Sequence, residues 1–431
     1  MLLEERISNK VVEIGVIGLG YVGLPLALAF AEAGLRVTGF DILESRVDQI
    51  KRGVSYISDV PGEQLAAVRA TNKLDATTDH SRLQEMDVCC ICVPTPLTRT
   101  KDPDLSYVVR AAEDLAAHLR RGQLVVLEST TYPGTTREVL LPILERGGLK
   151  AGVDFYLAFS PERVDPGSKT HHIGNTPKIV GGIDPESTRL AQLLYNQVTG
   201  VVVPVSCPEA AEMTKVFENV FRSVNIALVN ELAVLCDKMG ISVWEVIDAA
   251  ATKPFGYMPF YPGPGIGGHC IPLDPYYLSN KAREYDFHAR FIELAADINE
   301  NMPGYVVSRI VDVLNASGKG LSGSRVLVLG VAYKKDVGDT RESPSLRILR
   351  LLAAKGARVR YNGPYVDEIE LGGETLRAVD LADEELRSAD CVVIATDHTC
   401  YDYKHIGAMA GLIFDTRGVT RNLVNTGVVR L

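Results

Sequence analysis

Residues Val11 to Gly34 read VVEIGVIGLGYVGLPLALAFAEAG, and this stretch decides the fold. Its first part, VVEIGVIG, is a continuous apolar run that ends in glycine, the pattern of a strand buried on both faces. Its last part, LPLALAFAEAG, reads as a helix closed by Gly34. Between them lies the glycine turn Gly18-Leu19-Gly20-Tyr21-Val22-Gly23. RVTGFD, ending on Asp41, reads as the next strand, and MDVCCICVP, QLVVLEST, FYLAFSPE and KIVGG follow as further strands. Strands alternating with helical segments predict a parallel, doubly wound sheet with helices on both faces.

From Ser206 the pattern changes. SCPEAAEMTKVFENVFRSVNIALVNELAVLCDKMG predicts one long helix, capped by Ser206, with Pro208 in its first turn and Gly240 at its end. Its expected apolar stripe is Val216, Val220, Val224, Leu228, Leu232, Leu235 and Met239. A second long helix is expected from about Ala289, past Pro303, toward Leu314. After the linker ASGKGLSGS the first pattern returns: RVLVLGVAYKKD has the layout of VEIGVIGLGYVG, and SADCVVIAT that of EMDVCCICVPT. The fold class is therefore α/β, with two Rossmann-like doubly wound domains joined by a central long-helix segment. The expected boundaries are 1–205, 206–318 and 319–431.

The length of 431 residues allows two or three domains. With 46% hydrophobic and 23% charged residues, the composition is that of a soluble globular protein. A net charge of -9 argues against a nucleic-acid partner. No apolar run reads as long enough to span a membrane, and MLLEERISNK lacks a secretory pattern, so a cytoplasmic protein is expected. The cysteines, at 89, 90, 92, 207, 236, 270, 391 and 400, lack metal-ligand spacing and read as reduced thiols, with no metal site.

The glycine turn carries the first chemical signal. Gly18 permits the tight turn, Gly20 lets backbone approach a pyrophosphate, and Gly23 allows close helix–strand packing. The helix start around Tyr21 and Val22 offers N–H donors to phosphate. Asp41, about 20 residues on, suits the two ribose hydroxyls and would repel a 2′-phosphate, so NAD is expected rather than NADP. Arg46, a turn further, reads as bordering the adenosine or as a solvated helix residue. The second turn, GVAYKKDVGDTRESPS, lacks the third glycine and offers lysines and Arg341 instead, a phosphate site by charge.

The second signal is FYPGPGIGGHCIPLDP, residues Phe260 to Pro275, too rich in glycine and proline for helix or central strand. It carries Cys270. That residue is either a buried loop cysteine or a nucleophile. Gly267 and Gly268 read as room for a substrate, and His269 and Asp274 as titratable neighbours. A thiol beside NAD suggests aldehyde oxidation through a thiohemiacetal and a thioester. On the long helix Lys215 and Asn219 share a face, with Arg222 in the next turn. They are either a solvated edge or an oxyanion-stabilising pair.

With GLGYVG, CVPTP, ESTTYPGTT, SPERV, EMTKVFEN, GPGIGGHCIPLDP and YKKDVGDTRESPS in this order, the chain resembles the UDP-glucose/GDP-mannose dehydrogenase family along essentially its whole length. The resemblance implies an N-terminal NAD domain, a helical dimerisation core and a C-terminal UDP-binding domain, in a homodimer or higher homo-oligomer. It implies Cys270 as nucleophile, Lys215 and Asn219 as oxyanion-stabilising pair, Asp274 as water-activating carboxylate and Glu162 as general base. Thr95 and Thr130 fall on the nicotinamide side, with Thr131 an alternative to Thr130. Arg163, Val164, Arg222, Tyr261 and Gly267 match substrate contacts, Lys334 and Arg341 border substrate and cofactor, and Arg417 reaches toward the nucleotide. One departure is Pro166, where UDP-glucose members carry a second glutamate; Asp165 is adjacent. SPERV and GGHCIPLDP look like the subgroup acting on N-acetylated sugars. The expected reaction is NAD-dependent four-electron oxidation of a UDP-N-acetylhexosamine, UDP-N-acetylglucosamine first, with UDP-N-acetylmannosamine or UDP-glucose as alternatives. Arg163 is the expected donor to the acetamido carbonyl. A single-step NAD reductase and a non-catalytic NAD- or nucleotide-binding protein are the rivals from other classes.

Overall fold

The structure, a computed structural model, describes residues 1–57, 60–98, 101–164, 170–268, 271–423 and 427–431. Cys270, His269, Asp165 and Pro166 lie outside the described residues. The chain forms two compact units, Met1–Glu218 with Tyr276–Phe287, and Asn219–Pro275 with His288–Leu431.

The first unit is built on β1 (Glu13–Ile17), β2 (Arg36–Phe40), β3 (Leu74–Thr77), β4 (Val88–Ile91), β5 (Leu124–Leu127), β6 (Tyr156–Phe159), β7 (Lys178–Gly182) and β8 (Val202–Pro204). Their order in the sheet is β3-β2-β1-β4-β5-β6-β7-β8. The first six strands follow the order of a dinucleotide-binding sheet, which reverses direction of winding between β1 and β4. β4 and β5 are buried at every position, as the apolar runs predict, and Cys89 and Cys90 pack there as small hydrophobes. Burial pushes the Cys89 thiol up to about 12. β7 runs antiparallel to β6. The all-parallel expectation fails at this pair, and the reversal brings the start of β7 to the edge where β5 and β6 end.

The second unit holds β9 (Arg325–Leu329), β10 (Arg358–Asn362), the hairpin β11 (Glu368–Leu371) and β12 (Glu374–Arg377), then β13 (Cys391–Ile394), β14 (Ile413–Asp415) and β15 (Val428–Arg430). Its five-stranded sheet is parallel, in the order β10-β9-β13-β14-β15. β9 sits between β10 and β13 as β1 sits between β2 and β4, so the repeat read in the sequence is a repeat of strand pairing.

The two long helices are Pro208–Met239 and Arg290–Ala316, the latter with Pro303 inside. The stripe expected on the first needs correction. Val216 and Val220 are buried, but Leu228, Leu235 and Met239 are 60%, 52% and 60% exposed. Each residue of an α-helix turns about 100°, so steps of four drift about 40° each; three steps from Val216 leave the buried face. The face that is buried carries Ser223, Ala227, Asn230, Ala233 and Cys236. This helix is also long and apolar enough to cross a membrane by length and composition, against the sequence expectation. A core helix of a globular protein meets the same two criteria, and here the buried face includes the amides of Asn219 and Asn230.

Candidate active site

The glycine turn is shaped by what each glycine excludes. Gly18 has φ +89°, and a Cβ there would lie 2.8 Å from Cys92 O, so the exits of β1 and β4 touch backbone to backbone. A Cβ on Gly23 would collide with Gly18 O. Over Gly20 a Cβ would meet nothing within 4 Å. The helix Gly23–Glu32 starts with no side chain capping its amides. Open space over Gly20 and uncapped amides beyond it fit a pyrophosphate. Asp41, 4% exposed, lies beside this turn. It accepts from Leu19 N at 3.0 Å, Leu43 N at 2.9 Å and Arg46 Nη1 at 3.2 Å. Arg46 is thus turned onto Asp41, and its Cζ lies 5.7 Å from the Tyr56 ring. Tyr56 donates to Leu19 O at 2.7 Å. Burial first, then the Asp41 charge, pushes the Tyr56 phenol up, so it stays a neutral donor.

Thr95 and Thr130 meet: Thr95 Oγ1 donates to Thr130 O at 2.7 Å. Thr131 is the more buried of the pair, and its hydroxyl has no hydrogen-bond partner among the described residues. Tyr277 donates to Thr95 O and fixes the same loop from the helix Asp274–Arg283.

Glu162 curls back on its own backbone. Its Oε1 accepts from Arg163 N at 2.8 Å and Val164 N at 2.7 Å. Arg163 grips Glu218 of the long helix, Nη2 to Oε1 at 2.5 Å and Nε to Oε2 at 3.3 Å, and donates to Pro177 O at 2.6 Å. Each guanidinium nitrogen therefore already has an acceptor, so the structure gives Arg163 the task of pinning Glu162 to the helix that carries Lys215. Lys215 is half-buried and makes no ion pair among the described residues.

In the second unit Asn219, on the long helix, donates through Nδ2 to Asp274 Oδ2 at 2.5 Å. Both residues are buried. Arg222, a turn on, is exposed. The glycine–proline loop is held by an amide chain that the sequence reading missed: Gly263 N donates to Asn230, Asn230 to Asn299 at 2.9 Å, and Asn299 to Ser223 O at 3.0 Å. Tyr261 stacks on Trp244 with ring planes 14° apart and donates to Asp248 at 2.8 Å.

The reading of Gly267 and Gly268 as room for substrate is corrected. A Cβ on Gly267 would lie 2.5 Å from Tyr333 Cβ and 2.9 Å from Glu342 O, and one on Gly268 would lie 3.0 Å from the Tyr333 ring. These glycines let the loop lie directly on the segment after β9. Gly268 N also donates to Arg341 O at 2.9 Å. Arg341 forks onto Asp339 within its own loop. Lys334 is half-buried in that segment. Arg417 donates to Ala395 O at 2.9 Å, and its Nη1 would lie 3.0 Å from a Cβ on Gly263. It thus reaches the glycine–proline loop.

Two further groups were missed. Glu212 is buried and accepts from Gly134 N, Thr136 N and Thr136 Oγ1 at 2.6, 2.8 and 2.7 Å. Glu128 and Lys178 form a buried ion pair at 2.6 Å. The available signal was a lone charge beside an apolar strand, in LVVLE and in KIVGG. The seven described cysteines are unpaired.

The model of the UDP-glucose/GDP-mannose dehydrogenase family, NAD binding domain, matches residues 12–199. The family's central domain matches 209–301, and its UDP binding domain matches 327–422. The chain is 36% identical over 401 residues to the UDP-N-acetyl-D-glucosamine 6-dehydrogenase of Pseudomonas aeruginosa, covering 93% of each. It is 39% identical over 386 residues to the UDP-N-acetyl-D-mannosamine dehydrogenase of Pyrococcus horikoshii, covering 89% of each. A solved UDP-D-ManNAc dehydrogenase from Pyrococcus horikoshii superposes with a TM-score of 0.89 at 37% identity, covering 97% of this chain and 98% of that one.

Proposed function

We infer the reaction from one premise: this chain belongs to the UDP-glucose/GDP-mannose dehydrogenase family. It is an NAD-dependent nucleotide-sugar dehydrogenase with an NAD-binding domain and a UDP-binding domain. We propose that it oxidises the 6-hydroxyl of a UDP-N-acetylhexosamine to the carboxylate in two hydride transfers, with UDP-N-acetylglucosamine the first candidate. The names of its relatives, one acting on UDP-N-acetylglucosamine and one on UDP-N-acetylmannosamine, support the N-acetylated class and leave the second sugar as the alternative.

The observation that carries the reading is the Asn219–Asp274 bond. It joins the helix that holds Lys215 to the position four residues after Cys270. An amide and an ammonium one helical turn apart suit a developing oxyanion. Bound NAD supplies the acceptor for each hydride. The residues then do the rest. Glu162, directly or through water, takes the hydroxyl proton. The Cys270 thiolate adds to C6 of the aldehyde, and Lys215 and Asn219 hold the oxygen of that thiohemiacetal. Loss of the second hydride leaves a thioester. Water activated at Asp274 adds to its carbonyl, the C–S bond breaks, and the thiol and the uronate are released. The tether keeps a reactive aldehyde from escaping between the two oxidations.

The exposed apolar residues Phe217, Phe221, Leu228, Leu235 and Met239 follow one stripe of the long helix. We propose that a second copy of the chain covers it in a homodimer or higher oligomer, in the cytoplasm. The three segments 1–205, 206–318 and 319–431 remain our proposed functional domains.

The test is stoichiometric. The protein should form two NADH per sugar consumed, and Cys270→Ala should form no uronate while still binding NAD. One NADH per sugar, or normal uronate formation by the alanine variant, overturns the covalent scheme.

A further inference from the structure

The reversal of β7 buries an ion cluster beside Glu162. Lys178 opens β7 and is 5% exposed; Glu128 follows β5 and is 1% exposed. Lys178 Nζ donates to Glu128 Oε2 at 2.6 Å and to Pro161 O at 3.3 Å. Tyr195 donates to the other oxygen of Glu128, and its ring lies 4.9 Å from the ammonium. On its remaining side Lys178 Nζ is 3.8 Å from Glu162 Oε2. That oxygen is buried and has no hydrogen-bond partner among the described residues. The buried carboxylate of Glu128 and the enclosed Oε2 of half-buried Glu162 thus share one ammonium. Glu128 holds it by contact, and Glu162 feels it as a near charge.

The other groups around Glu162 do not replace that charge. Arg163 is paired with Glu218. Cys90 and Cys92, at the end of β4, and the phenol of Tyr195 are pushed well up by burial and are neutral near pH 7. Lys178 is therefore the cation, among the described residues, that faces Oε2 of Glu162. Without it Glu162 would keep the backbone N–H groups of Arg163 and Val164 on Oε1, but Oε2 would stand beside the Glu128 carboxylate with no cation between them, an arrangement that disfavours charge.

We propose that Lys178, anchored by Glu128 and Tyr195, is a positioning residue that keeps Glu162 ionised and aimed as the base of the oxidation. The kinetic part rests on the base role given to Glu162 above; the electrostatic part does not.

Two substitutions act in opposite directions, which a merely structural role would not produce. Lys178→Met should move the acid limb of the kcat/KM profile to higher pH, by about one unit or more. Glu128→Gln leaves the ammonium to Glu162 alone and should move the same limb to lower pH. Lys178→Arg keeps a cation and should restore the limb. Infrared titration of the Glu162 carboxyl, with Glu162→Gln as the blank, should follow the same two directions. If Lys178→Met does not fold, Glu128→Gln decides alone. An unmoved or raised titration of Glu162 in Glu128→Gln overturns the proposal. Infrared shifts as expected, with no movement of the kinetic limb, would keep the electrostatic coupling and remove Glu162 as the base. Absence of UDP-sugar oxidation by the unmodified protein would count against the proposed function, while the infrared arm still tests the coupling.

Discussion

Both oxygens of Asp41 accept hydrogen bonds from the chain, Oδ2 from Leu19 N and Arg46, Oδ1 from Leu43 N. The carboxylate is thereby immobilised at the edge of the glycine turn, with one lone-pair site of Oδ1 left for a ribose hydroxyl. A 2′-phosphate would bring a second anion against a nearly buried one, and Arg46, already committed to Asp41, offsets little of that repulsion. Asp41→Ala should therefore narrow the preference for NAD over NADP by on the order of tenfold, mainly through KM, because about 1.4 kcal/mol of discrimination is a factor of ten. It also orphans two backbone N–H groups. Asp41→Asn, which keeps an acceptor oxygen, should narrow the preference with a smaller loss of melting temperature. Equal use of both cofactors by the unmodified protein would show that Asp41 does not face the ribose. Gly18 and Gly23 were legible in the same local way, since Gly18 takes a positive φ in the turn and Gly23 lies against Gly18 O, while Gly20 leaves its side of the turn open. Gly267 was not. Its constraint comes from Tyr333 and Glu342, far along the chain, and no local spacing encodes a contact of that kind.

At the scale of elements, strands and helices were read well where one period dominates, and misread where a count of four stood in for 3.6. The long helix Pro208–Met239 has the expected extent, yet Leu228, Leu235 and Met239 of its stripe point outward, while Leu232 still packs on the core. The antiparallel β7 was equally hidden, because an apolar run carries no direction. Glu212 joins two elements. It ties the first turns of this helix to the loop Gly134–Thr136, just after Thr130 and Thr131. Burial raises its carboxyl from 4.5 to about 7, against three hydrogen bonds that favour the ionised form. A raised acid binds its proton more tightly in the folded state than in the unfolded one. Its contribution to stability is then greatest below about pH 4.5 and falls as pH rises toward 7. Glu212→Gln does not titrate. The stability of the unmodified protein minus that of Glu212→Gln should therefore decrease from pH 5 to pH 7, by up to about 1.4 kcal/mol per unit. Denaturant midpoints at three pH values measure it. A difference that grows with pH would mean that the donors on Gly134 and Thr136 outweigh burial.

For the whole molecule, the two sheets solve one problem in two ways. Gly18 leaves β1 against Cys92, which follows β4; Gly330 leaves β9 against Thr396, which follows β13. The turn is the same, but the first continues into uncapped amides and the second into Lys334, Lys335 and Arg341. We propose that backbone serves the NAD-binding half, and charge the half matched by the UDP-binding model. A UDP group held by charge and backbone contributes the same binding to every UDP-sugar. Choice among sugars must then come from groups near the 2-substituent. The Arg163 guanidinium was the expected donor there, but its nitrogens are given to Glu218 and Pro177, so loss of its charge should disturb Glu162 before it alters sugar choice. A site built for an acetamido group leaves polar groups unpaired when a bare hydroxyl occupies it, whereas the reverse misfit is steric. We expect UDP itself to inhibit with one constant, whichever of UDP-N-acetylglucosamine, UDP-N-acetylmannosamine, UDP-N-acetylgalactosamine or UDP-glucose is the varied substrate. We expect kcat/KM to favour an N-acetylated sugar, UDP-N-acetylglucosamine first, over UDP-glucose by roughly tenfold or more. A higher kcat/KM for UDP-glucose than for every N-acetylated sugar would overturn the substrate class. A preference for UDP-N-acetylmannosamine would keep the class and replace the sugar.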